Sequence, residues 1–304
     1  MTIALGEIEL NWDGKVSQVL SNPYVAKMAM PLDAEESGKG IGMNTYKGLA
    51  YAPGYGGRIS FKLEFDPETP HIKAKDYNVP IQQSSRVLDR RDFESYVLRG
   101  INVTSDIAVQ MLDDVLEKQN LTVIDGWKPN GTYATYGMYQ VANISDAGNS
   151  FATPGGAQKT VSTLIGKLQK ANIYSDDGYN LFVNPDENAK VLASANATSG
   201  LREYPIVVDI LNQGVADGTK PGRIIPTTAI TAGTCMVAPT AAERNKKFFK
   251  LVEAQIPYNN LWYVDGNEKD GDIKARQVGS LFPTFAQLDD SGKTNCIAKG
   301  TAVA

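Results

Sequence analysis

Histidine and cysteine are scarce in this 304-residue chain, which holds one histidine, His71, and two cysteines, Cys235 and Cys296. The cysteines are far apart, with no CxxC pair and no neighbouring histidine, so neither a zinc cage nor a disulfide framework can be built from them. A single imidazole rules out a histidine-rich metal site, and any Ser/His/Asp arrangement would have to rest on His71 alone, which follows Pro70 in a polar stretch. No run reaches the about 18 to 20 apolar residues of a membrane span. Glu7, Glu9 and Asp13 stand where a secretory leader would carry basic charge, so the expectation is a chain neither inserted nor exported. Basic charge is not in excess: 30 Lys and Arg against 34 Asp and Glu give a net charge of −4, so nucleic-acid contact is expected to be weak or local.

Catalytic signatures are missing as well. There is no Walker lysine loop, GxSxG elbow, SxxK or HExxH. The glycines of residues 38–42 follow no apolar strand and precede no amphipathic helix, which excludes a dinucleotide turn. The acidic run at 265–272 has Lys269 and Asp270 where a calcium loop needs an oxygen ligand and a glycine, leaving a solvated hairpin turn. Adjacent carboxylates such as Asp113 with Asp114, or Asp289 with Asp290, point apart on a helix or strand and do not form a glycosidase pair. No cofactor, metal ligand or catalytic residue is assigned. A carbohydrate-active enzyme with dispersed carboxylates stays open as the competing class.

What is present is a foldable composition, 42% apolar with 28 Gly and 15 Pro, patterned as α+β. Residues 1–44 are irregular and are expected to form an arm. Ile59, Phe61, Leu63 and Phe65 alternate with polar residues at the period of a half-buried strand, and 71–87 is expected to return beside it as a long two-stranded excursion. At Asp89 the period becomes helical: Asp89 is placed as an N-cap, Phe93, Tyr96, Val97 and Ile101 form a stripe, and Gly100 interrupts it. A second helix carries Ala108, Met111, Leu112, Val115 and Leu116 on one face and is expected to end near Asn120.

The middle third alternates in type: a helix through Val161, Leu164, Ile165, Leu168 and Ala171, the strand YNLFV, then a helix capped by Asn184 with Pro185 at its first position. YPIVVDIL and RIIPTTAI follow as short apolar elements. The β-prone runs FFKLVEAQI, NLWYVD and DIKARQVGSLFPTFAQLD come next, and a small-residue tail is expected to be loosely tied.

Arg86, Arg90, Arg91 and Arg99 gather around the start of the first helix, and Tyr133, Tyr136 and Tyr139 follow it. Arginines at the positive end of a helix suit acidic groups of another segment or chain, or phosphate, but a solvated face is equally compatible with the pattern.

The order of elements, with VPIQQSSRVLDRRDFESYVLRG leading into a long helix, the NGTYATYGMYQVAN turn and a strand followed by NPDENAKVL, resembles the major capsid proteins of tailed bacteriophages and the related encapsulin shells. The resemblance spans about residues 45–290. It implies an N-terminal arm (1–44), an extended β loop (45–88), a peripheral domain with a spine helix (89–150), an axial α/β domain (151–240), and return strands with a tail (241–304). It further implies a non-enzymatic subunit whose partners are its own copies, as hexamers and pentamers of a closed icosahedral shell around double-stranded DNA touched only weakly. Scaffold, portal and decoration proteins are further partners of that family, and virion capsids assembled in the host cytoplasm are its location. Arg58, Phe61, Phe65, Arg86, Arg90 and Arg91 are the expected intersubunit contacts. An encapsulin compartment enclosing a cargo enzyme is the alternative within the resemblance. No partner asparagine or catalytic carboxylate accompanies Lys62, Lys73 and Lys75, so covalent crosslinking of subunits is not expected.

Overall fold

Two packing arrangements divide the chain, a five-stranded sheet clothed by helices and a long helix lined by a smaller sheet. The computed structural model describes residues 25–35, 37, 45–51, 72–99, 103–195, 200–215, 218–254, 262–264, 273–286, 288–289, 291–301 and 303. His71, the 59–65 alternation, the glycines at 38–42 and the acidic run at 265–272 lie outside the described residues.

In chain order the elements are α1 (Val25–Ala29), β1 (Thr45–Tyr51), β2 (Ile72–Asn78), β3 (Gln82–Leu88), α2 (Arg90–Leu98), α3 (Val103–Ile124), β4 (Gly126–Trp127), β5 (Thr135–Tyr136), α4 (Met138–Val141) and β6 (Ala142–Asp146). There follow α5 (Gly156–Lys170), β7 (Tyr179–Val183), α6 (Pro185–Ala193), α7 (Glu203–Leu211), β8 (Ile224–Pro226) and β9 (Cys235–Pro239). The last are β10 (Phe249–Glu253), β11 (Trp262–Val264), β12 (Ile273–Gly279), β13 (Leu281–Phe285) and β14 (Thr294–Gly300).

The large sheet has the order β6-β14-β9-β7-β8, with β14 parallel to β6 and antiparallel to β9, and β7 antiparallel to β9 and parallel to β8. Every residue of β7 and β9 is buried, the signature of strands covered on both faces. Helix α5 lies over β14 and β6 and packs against α7. Of its expected stripe Val161, Leu164, Ile165 and Leu168 are buried, joined by Ala157, while Ala171 is the half-buried C-cap beyond the helix. Asn184 caps α6 by accepting from the Asp186 amide at 3.1 Å. The apolar element YPIVVDIL is α7, where Pro205 falls in the first turn and costs no intrahelical bond.

Five expectations are corrected. Residues 25–35 are not a free arm: Ala26, Ala29 and Met30 are fully buried, Leu32 bridges Leu251, and Lys250 pairs with Asp33 at 2.6 Å. The C-terminal segment is not loose, because TNCIAKG is β14, an inner strand of the large sheet between β6 and β9, and Val303 is fully buried with its N–H on the Gly233 carbonyl. Since β6 and β14 also belong to this sheet, it extends past the expected boundaries at 150 and 240 on both sides. The long helix continues to Ile124, about 33 Å for its 22 residues. Residues 71–87 do not make one return strand: β2 pairs with β1, and after Pro80 the chain crosses into β3, which pairs with β12.

Candidate intersubunit surface

The sheet β11-β12-β3 lies along α3 and presents to it an unusually polar face. Alternation puts Gln82 and Ser84 inward, and both are buried. The Gln82 side chain satisfies both ends of its amide, donating to the Leu281 carbonyl at 3.0 Å and accepting from the Leu281 amide at 3.0 Å. Ser84 Oγ donates to Asp114 Oδ2 at 2.7 Å, and Arg86 Nη2 reaches the same oxygen at 2.7 Å. Ala108, Met111 and Ala275 form a small apolar cluster of their own, apart from the main core.

Of the expected contact residues, Arg86, Arg90 and Arg91 come together where β3 hands over to α2. Arg90 Nε pairs with Glu94 Oε1 at 3.1 Å, one turn along α2. Asp89 is the N-cap anticipated from the sequence, its Oδ1 accepting from the Arg91 amide at 2.7 Å, and the Arg91 side chain is exposed. Asp114 of α3 and Glu94 of α2, both in the same subunit, thus pair with Arg86 and Arg90. Arg58, Phe61 and Phe65 lie outside the described residues. Around the arginines, Ile81 and Val87 are each 59% exposed and Leu98 is 87% exposed.

Sequence reasoning missed the root of the β1–β2 ribbon. Tyr46 and Tyr77, cross-strand partners, are buried with their rings 6.4 Å apart, and Tyr46 meets Phe282 edge-on at 5.8 Å. The Tyr77 hydroxyl donates to the Phe285 carbonyl and accepts from the Phe285 amide, both at 3.2 Å. Burial pushes the Tyr77 phenol up to about 12, against the opposing pull of the Phe285 hydrogen bond. Burial lowers the pKa of Lys75, partly offset by the charge of Asp289. A second tie holds the ribbon end, where Asn78 Nδ2 donates to the Ala134 carbonyl at 2.7 Å and Thr135 Oγ1 to the Asn78 carbonyl at 3.1 Å. The only sequence signal for this root was a pair of tyrosines in otherwise polar strands.

The Ala134 carbonyl and Thr135 belong to the β4–β5 hairpin, which displays aromatic rings. Tyr133 and Tyr136 stack at 5.5 Å, Lys128 Nζ sits 5.1 Å above Tyr133, and Trp127 and Tyr136 are exposed. Gly126, at φ 110°, permits this, since a Cβ there would lie 2.5 Å from the Thr135 carbonyl oxygen. On the large sheet's periphery Leu192 and Leu201 are also exposed. A cleft of about 420 Å³ between α3, α6 and the turn after β8 is lined by Glu117, Asn120, Asn188, Thr227 and neighbouring apolar groups, with Glu117 its one carboxylate. Two facing carboxylates, as a glycosidase requires, are not found there. No helix among the described residues is long and apolar enough to cross a membrane.

No protein-family model and no curated protein matches the chain. Solved structures do match it along nearly its whole length. The virus-like particle from Pyrococcus furiosus aligns at a TM-score of 0.59 and 12% identity, covering 98% of this chain and 100% of that one. The capsid of Myoviridae phage XM1 aligns at 0.62 and 12% identity, covering 90% of each chain. The capsid of the native GTA particle aligns at 0.62 and 10% identity, covering 92% of this chain and 90% of that one. The chain thus has the α+β fold shared by phage capsid and virus-like particle subunits.

Proposed function

We propose that this protein is a major capsid protein whose copies close into an icosahedral shell around a double-stranded DNA genome. The observation that carries the reading is the coverage: 90% or more of this chain and of three shell subunits align in one fold, leaving no large unmatched part for another activity. The surface agrees with such a role. Exposed Ile81, Val87 and Leu98 on the β3–α2 face, and Leu192 and Leu201 beside α7, are apolar groups that neighbours would cover. In this reading Arg86, Arg90 and Arg91 make polar intersubunit contacts at the rim of the first patch. The described ribbon β1–β2 projects from its tyrosine root as an arm toward a neighbouring subunit. A net charge of −4 suits an inner wall that does not grip packed DNA.

A compartment enclosing a protein cargo is the second reading, favoured by the full-length alignment with the Pyrococcus virus-like particle. Scaffold, portal and decoration proteins, assembly in a host cytoplasm and the absence of catalysis belong to the first reading. Negative-stain microscopy of the purified chain, with nuclease-protected nucleic acid measured in the same fractions, tests both. Shells with protected DNA support the capsid reading, shells with a stoichiometric second protein support the compartment, and a chain that stays monomeric at high concentration and salt speaks against either.

A further inference from the structure

Among the described residues strand β3 is an outer strand of its sheet. Among the described residues its only strand neighbour is β12, with continuous register from Gln82↔Gly279 to Leu88↔Ile273. One row of its backbone N–H and C=O groups therefore has no strand partner among the described residues. Proteins ordinarily blunt such an edge with proline, a bulge or an exposed charge. Within its seven residues β3 has no proline and no register shift, and its single charge, Arg86, is already held by Asp114. At the two ends of the edge, Ile81 and Val87 are each 59% exposed.

The order Ile81-Gln82-Gln83-Ser84-Ser85-Arg86-Val87 is close to symmetric about Ser84. Apolar residues end it, and uncharged polar residues fill it apart from the internally paired Arg86. By alternation Ile81, Gln83, Ser85 and Val87 share the face turned away from α3, and all four are exposed. We propose that β3 pairs antiparallel with β3 of a second copy of this chain about a two-fold axis at Ser84, joining two three-stranded sheets into one of six strands. In this register Ile81 meets Val87 of the second copy, Gln83 meets Ser85 and Gln82 meets Arg86, so apolar meets apolar and like charges never oppose. A slip of two residues, the smallest that keeps both α3 helices on one face, sets Ile81 against Ser85 or Asp89 and loses both apolar pairs. The contact is isologous, as a two-fold interface requires.

This pairing rests on the shell reading only for its place in an assembly, and its test is separable. Directly opposed strand residues have Cα atoms about 4.5–5.5 Å apart, within the span of a disulfide. The native thiols Cys235 and Cys296 are both fully buried, so engineered pairs at the surface are read with little background. In the full chain under mild oxidation, Q83C/S85C is expected to give a disulfide-linked dimer, and Q83C alone at least about tenfold less. In I81K/V87K the assembled fraction, read by mass photometry, is expected to fall about tenfold or more with unchanged circular dichroism and melting temperature, and in I81K/V87E to return to within about twofold of the parent chain. Assembly of I81K/V87K at the parent level, or equal crosslinking by Q83C and Q83C/S85C, overturns the edge pairing and leaves the shell reading standing. A Q83C/S85C dimer from a chain that never grows beyond dimers retains the pairing and counts against the shell.

Discussion

Replacing Tyr77 with phenylalanine keeps the ring that packs on Tyr46 and removes only the hydroxyl that brackets Phe285. Two hydrogen bonds of 3.2 Å are lost, one from the Tyr77 hydroxyl to the Phe285 carbonyl and one from the Phe285 amide to that hydroxyl. The site is buried, so water does not replace the lost partner freely. A net bond contributes about 0.5–1.5 kcal/mol, and a buried group left unsatisfied costs about 1–3 kcal/mol, which puts Y77F at about 2 kcal/mol of destabilisation. With a urea slope of about 3 kcal/mol per M, the midpoint falls by about 0.7 M. Y77A also deletes the ring and should lose about 3–5 kcal/mol.

Alkaline pH gives the same hydroxyl a second signature. The folded phenol is pushed up to about 12, above its unfolded value of about 10, so the neutral form is the one the fold favours. Its contribution is full below pH 10 and is lost as pH rises toward 12, a loss that Y77F lacks. Urea titrations of both chains at pH 8 and pH 11 measure it. A Y77F midpoint indistinguishable from the parent at pH 8, or one as low as that of Y77A, would refute the idea that this hydroxyl fastens the ribbon root.

Three other outcomes follow from buried groups. L112D places a carboxylate at a site 7% exposed on α3 and should cost several kcal/mol; an unchanged melting temperature would mean that this face is open to solvent. Glu203, fully buried, accepts from the Gly155 amide at the start of α5 and from Ser194 Oγ, so E203A should lose about 3 kcal/mol by chemical denaturation, whereas a loss below about 0.5 kcal/mol would contradict that tie. Burial pushes the Cys235 thiol up to about 12 and that of Cys296 to about 11, so both should resist thiol reagents at pH 8 until the chain unfolds. Their folded values lie above their unfolded ones, so their contribution is full below about pH 8.5 and fades as pH climbs toward 11–12; rapid labelling of the native chain would contradict this burial.

Local signals carried well where one residue decides a local structure. Asp89 and Asn184 cap the helices that they were expected to cap, and the apolar stripe of α5 faces inward. The helix expected to end near Asn120 runs on to Ile124, and Asn120 Oδ1 accepts from the Ala26 amide at 2.9 Å. The composition of TNCIAKG suggested a tail. It is small because β14 is crowded between neighbours, and a Cβ at Gly300 would stand 2.7 Å from Cys235 Sγ. The candidate surface was legible as an arginine cluster, but not the tie of Arg86 to Asp114, since pairing across 28 positions depends on β3 lying along α3. Nor could alternation show that β2 and β3 part at Pro80 to join different strands.

Mass photometry of the purified full-length chain, followed by negative-stain images of any large species, tests the central claim most directly. The account predicts discrete closed shells, or capsomer-sized rings that close on crowding, built from 32.9 kDa subunits. A single species at that subunit mass, unchanged at high concentration and salt, would contradict it.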